Sequence, residues 1–66
     1  MTIEEAREEV RRIQEASGDA EIAHEMEDDL RHRVLAVIAS GQCSDPAGLA
    51  AMALTTSSIK FNRWGA

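Results

Sequence analysis

Apolar positions recur three and four residues apart along most of this chain. Ile3, Ala6, Val10 and Ile13 follow one another at spacings of three, four and three, which is one stripe of an α-helix. Thr2 stands three residues before Glu5, the pattern of a capping box, and Glu4, Glu5, Glu8 and Glu9 crowd the first turns, where the helix dipole favours acids. A first helix is predicted over about 3–16, with Gly18 as its C-terminal stop. Asp19 then caps a longer helix over about 20–40 whose stripe is Ile22, Ala23, Met26, Leu30, Val34, Val37 and Ile38, closed by Gly41. Its first half is amphipathic. Its second half, VLAVIA, is apolar on nearly every side and is expected to be buried on most of them; Leu35 points away from the main stripe and needs its own cover.

The stretch GQCSDPAG is a loop, and Asp45-Pro46 supplies a cap followed by proline at the first helical position. An Ala-rich helix follows over about 46–56, small enough in its side chains to let a neighbour approach closely. TTSS weakens it, because hydroxyl side chains compete for backbone groups. A last short turn or helix is predicted over about 58–63. The fold class is thus all-α: one compact three-helix domain with a short fourth element at the C-terminus, and no repeat or internal boundary.

Composition narrows what such a domain can do. Sixty-six residues bury a modest share of their surface, and chains of this size often add a disulfide, a metal or a second subunit. Cys43 is the only cysteine, so no internal disulfide forms; a reduced thiol fits a cytoplasmic protein. Self-association is therefore expected. No basic segment followed by an apolar core opens the chain, so no secretion signal is expected, and the apolar runs are far short of a membrane span. Net charge is −5, unevenly spread. Residues 1–33 carry eleven acids against five arginines, while the rest carries Asp45 against Lys60 and Arg63. That balance argues against direct contact with nucleic-acid phosphates.

Candidate chemistry is sparse. His24, Asp28 and His32 fall at i, i+4 and i+8 on one helical face, with Leu35 beside them on the helical wheel; Glu21–His24 and Asp29–His32 also have the Glu/Asp-x-x-His spacing of metal-binding bundles. These residues lie opposite the apolar stripe, so no metal site and no cofactor is expected, and the strip His24, Asp28, His32 and Leu35 is a candidate interaction surface. Cys43 and Ser44 have no base paired with them in any sequence signature, so no catalytic residue is assigned and no enzyme is expected. The two aromatic residues, Phe61 and Trp64, flank Arg63 at the end of the chain. They are expected to fold back as a structural lock, with Trp64 against Leu30 and Val34 and Arg63 paired with Glu27, whose angular position borders the apolar stripe. The same Arg63 and Trp64, if exposed, form a partner hot spot instead.

AHEMEDDL, DPAGLAAMAL and IKFNRW together resemble small uncharacterised proteins of actinobacteria and their phages. The residues that carry the likeness are Ala23, His24, Glu27, Asp28 and Leu30, then Asp45, Pro46, Ala47, Leu49 and Ala50, then Ile59, Phe61, Arg63 and Trp64. It spans about residue 20 to the end and leaves the first helix outside. It implies an origin and no mechanism. The functional expectation is a small cytosolic protein-interaction module acting on a protein partner, a phage-encoded modulator of a host protein in the sharpest form. The alternative is an acidic regulator of nucleic-acid transactions, by charge mimicry or as a helix-turn-helix-like accessory; arginines interleaved with the acids count against mimicry.

Overall fold

Four local signals set the helix ends. The computed structural model of the chain describes residues 1–63. Helix α1 spans Ile3–Glu15, α2 Ala20–Ala39 and α3 Pro46–Leu54, and a 3-10 turn, Thr55–Ser58, continues directly from α3. At the start of α1 the capping box is complete: Glu5 N–H donates to Thr2 Oγ1 at 3.1 Å and Thr2 N–H to Glu5 Oε1 at 2.8 Å. Those hydrogen bonds hold the Glu5 carboxyl below its ordinary value, the bond from the Thr2 backbone first. Asp19 caps α2 by accepting from Ile22 N–H, and Asp45 caps α3 by accepting from Gly48 N–H at 2.9 Å, with Pro46 behind it. Gly41 ends α2 with φ +76°, the left-handed conformation glycine takes without strain.

Gly18 does not serve in that way. Gly41 alone among the described glycines has positive φ. The chain leaves α1 through successive tight turns, Ser17 N–H to the Gln14 carbonyl at 3.2 Å and Asp19 N–H to the Ala16 carbonyl at 2.9 Å. The last element also differs from expectation. The 3-10 turn sits at 55–58, and residues 59–63 form no helix. Thr55 and Thr56 turn their hydroxyls back onto the Met52 and Ala53 carbonyls, at 2.6 and 3.1 Å. That back-bonding tightens the chain at the point where Ser and Thr compete with the helix.

The three helices enclose one small core: Ala6 and Ile13 from α1, Ala23, Leu30 and Val34 from α2, Leu49 and Ala53 from α3, and Ile59 from the tail. The small side chains of α3 bring it close to α1, as expected. A Cβ added at Gly48 would lie 2.9 Å from Ile3 Cδ1 and 2.8 Å from Asp45 Cγ. Gly48→Ala is therefore expected to lose the gain of about 1 kcal/mol that alanine normally brings to a helix. Displacing the Asp45 cap costs about 1 kcal/mol more. The urea midpoint should fall; a higher midpoint for Gly48→Ala would refute this account of the close approach.

The second half of α2 is covered on one side only. Val34 is buried and Val37 and Ile38 are half-buried, but Leu35 is 65% exposed and Ala36 and Ala39 are exposed. The expectation that VLAVIA is buried on most sides thus fails within the monomer, because two short helices cannot wrap a third. Ile22, assigned to the stripe, is also on the surface, 48% exposed, at the open end of α2.

Candidate functional site

Three polar arrangements stand out from this frame. The first is the tail. Glu27 projects from the buried side of α2, and its side chain is 2% exposed. Arg63 meets it with a fork: Nε donates to Oε1 at 2.9 Å and Nη2 to Oε2 at 3.0 Å. Further Arg63 bonds reach the carbonyls of Thr56 (2.9 Å), Ile59 (3.1 Å) and Phe61 (3.3 Å), and the guanidinium carbon lies 3.8 Å from the centre of the Phe61 ring. Arg31 stands on the other side, 3.5 Å from Glu27, and donates to Thr56 Oγ1 and Ser57 Oγ at 3.1 and 3.0 Å. One buried carboxylate thus gathers two arginines and ties α2 to the 3-10 turn and the tail. The structure brings Glu27, Arg63 and Phe61 together. Trp64, the remaining member of the expected lock, lies outside the described residues.

The environment of Glu27 has a consequence for pH. Burial pushes its carboxyl up, but hydrogen bonds from Arg63, the Thr56 hydroxyl and the charges of Arg31 and Arg63 outweigh it. The carboxyl is held below its ordinary value. A carboxyl depressed in the folded state stabilises the fold fully above its unfolded pKa and ceases to as pH falls through the folded one. Between about pH 5 and pH 3 the wild type should therefore lose urea resistance more steeply than Glu27→Gln. Parallel curves for the two proteins would contradict this.

The second arrangement is the outer strip of α2. His24 Nε2 lies 3.4 Å from Asp28 Oδ2; the His24 side chain is mostly covered and that of Asp28 is exposed. Leu35 stands uncovered on the same strip. His32, one turn beyond Asp28 on the same continuous helix, also borders a groove on the α1 side. Among the described residues no three His, Cys, Asp or Glu side chains come together as a metal-ligating group. No helix there is long and apolar enough to cross a membrane.

The third arrangement is that groove, which sequence reasoning missed. It holds about 890 Å³ between α1 and the second half of α2. Met1, Ala36 and Val37 supply its apolar surface; Glu4 and Glu8, one turn apart, line the α1 side. Arg33 crosses between the helices, 3.4 Å from Glu9 and 2.9 Å from Asp29 on its own helix. On α1, Arg7 pairs with Glu4, Arg11 with Glu8 and Glu15, and Arg12 with Glu9. Such exposed pairs contribute little each. A separate recess of about 380 Å³, between the N-terminus and the α2–α3 loop, is bordered by the half-buried thiol of Cys43. No helical pattern announces a groove, because it arises from how two helices approach; the exposed small residue Ala36 opposite a row of glutamates was the only available sign.

No known protein family, curated protein or solved structure matches this chain.

Proposed function

We propose that this chain is a small protein-interaction module of the cytoplasm, working by binding and not by catalysis. The observation that carries the reading is Leu35. A lone exposed leucine is ordinary, but this one, the most exposed large apolar side chain among the described residues, lies in a stretch of α2 without charge, 34–39, beside exposed Ala36 and Ala39. Charged residues are depleted from the centres of protein interfaces, and uncharged patches of this kind mark them. The His24–Asp28 pair supplies a polar edge to the strip. A partner that covers Leu35 provides the shielding that the monomer lacks. A second copy of the chain is one such partner.

The test is a substitution that spares the fold. Leu35→Glu should change stability by no more than about 0.5 kcal/mol, as for other surface positions. It should abolish recovery of whatever protein the wild type retains from a bacterial lysate after crosslinking. Sedimentation separates the two kinds of partner: a dimer that Leu35→Glu converts to monomer identifies the second copy. A Leu35→Glu protein that melts well below the wild type, or that captures the same partner equally, would overturn the reading.

A further inference from the structure

We infer that the tail of this chain exchanges between two copies, so that Arg63 of one protomer forks onto the partner's Glu27. The exchange goes beyond the proposed function: it uses the tail and the buried side of α2, and nothing of the Leu35 strip.

The tail is a hook that carries its own shape. Arg63 bonds to the carbonyls of Thr56, Ile59 and Phe61, and its guanidinium lies over the Phe61 ring, so these contacts stay within residues 56–63. Ile59 N–H closes onto the Thr56 carbonyl in the same way, at 2.9 Å. Residues 59–63 join no helix or sheet. Side chains seat the hook in the body: the fork of Arg63 onto Glu27, Ile59 in the core at 5% exposure, and buried Thr56, whose hydroxyl accepts from Arg31. A terminal segment shaped by its own bonds and seated through side chains can pass whole to an identical seat on another copy, which is a low-cost route to a dimer.

The seat selects the occupant. It holds a buried carboxylate fitted to one arginine, with Ile59 four residues and Phe61 two residues before it. A second copy brings that same segment, with every contact already matched. Size points the same way. The accessible surface is 4320 Å², and a standard interface takes about 800 Å² from each partner, a large share for so small a body; exchange reuses contacts the fold already makes. The hinge supplies the gain. At Leu54–Thr55 the α-helix tightens into the 3-10 turn, whose hydrogen bonds have poorer geometry, and opening it lets α3 run on. Leu54, the last residue before the turn, is 62% exposed. With a hinge this short the two bodies meet at it, and the Leu54 side chains of the two copies cover one another across the twofold axis.

Two single variants, refolded together from urea, test it. Arg63→Ala keeps the Glu27 seat and lacks the donor; Glu27→Gln keeps the donor and lacks the charge. In their exchanged heterodimer one seat is native and the other holds neither charge, so no carboxylate is stranded. With only Arg63→Ala isotopically labelled, the amide signals of Glu27, Arg31 and Thr56 should return to their wild-type positions. The labelled chain should sediment as a dimer and melt more than about 10 °C above Arg63→Ala refolded alone. This rescue is read whether or not Arg63→Ala folds by itself. Wild type refolded at high concentration should yield a dimer that survives dilution, and Leu54→Ser should cut that yield several-fold with circular dichroism unchanged. Leu35→Glu placed in both chains should leave the rescue intact. A labelled chain indifferent to Glu27→Gln, wild type that refolds only to monomer, a yield unmoved by Leu54→Ser, or a rescue lost with Leu35→Glu would each overturn the inference. Lysate capture that depends on Leu35, without rescue, would sink the exchange and spare the proposed function. Rescue with capture unaffected by Leu35→Glu would do the reverse.

Discussion

Arg63→Ala is expected to destabilise the protein more than replacement of any arginine of α1. The reason lies in what it leaves behind. Glu27 is almost wholly buried, and Arg63 forks onto both of its carboxylate oxygens. Stranding a buried charge in this way typically costs roughly 3–5 kcal/mol. Arg31, 3.5 Å away, softens the loss without replacing the fork. The tail also loses its attachment, because the bonds from Arg63 to the Thr56, Ile59 and Phe61 carbonyls hold its path. In a domain of this size a loss of a few kcal/mol moves the melting temperature by more than about 10 °C. Arg7→Ala, which breaks only an exposed pair on α1, should move it by a small fraction of that. The double replacement Glu27→Met with Arg63→Met should recover much of the loss, since removing both partners leaves no orphaned charge. If Arg63→Ala melts with Arg7→Ala, the carboxylate is not held as described.

Much of this was legible in the sequence, and the reasons are local. The starts of all three helices follow from side chains that bond their own first turns: Thr2 with Glu5, Asp19, and Asp45 before Pro46. Glu27 could be placed at the border of the apolar stripe from its angle alone, and a carboxylate there needs a cation. What was not legible depends on tertiary geometry. Whether Gly18 takes a left-handed conformation is decided by how α1 and α2 are joined. Whether Leu35 is covered depends on the reach of α3, and nine residues, four of them alanine, leave it exposed. That His32 also borders a groove was not legible, because that groove exists only once α1 is in place.

Leu30→Ala is the other substitution expected to bring this fold close to unfolding. Leu30 is fully buried, and the core it belongs to contains only three other large aliphatic side chains at full or near-full depth on the helices, Ile13, Val34 and Leu49. Cutting a buried leucine to alanine costs about 2–5 kcal/mol, the higher values where the surroundings cannot collapse into the space. Collapse is hard here. The neighbouring buried residues Ala6, Ala23 and Ala53 have no rotamers with which to fill a void, and Glu27, one turn before Leu30, is fixed by Arg63. Native domains hold roughly 0.05–0.15 kcal/mol per residue, so a chain this short has little more than that loss to spend. Thermal melts by circular dichroism should show Leu30→Ala partly unfolded at 25 °C, or melting tens of degrees below the wild type. Leu35→Ala, the same change five residues on but at an exposed position, should melt within a few degrees of it. Equal melting of the two variants would mean that the buried and exposed faces of α2 have been assigned wrongly, and with them the Leu35 surface argued to bind.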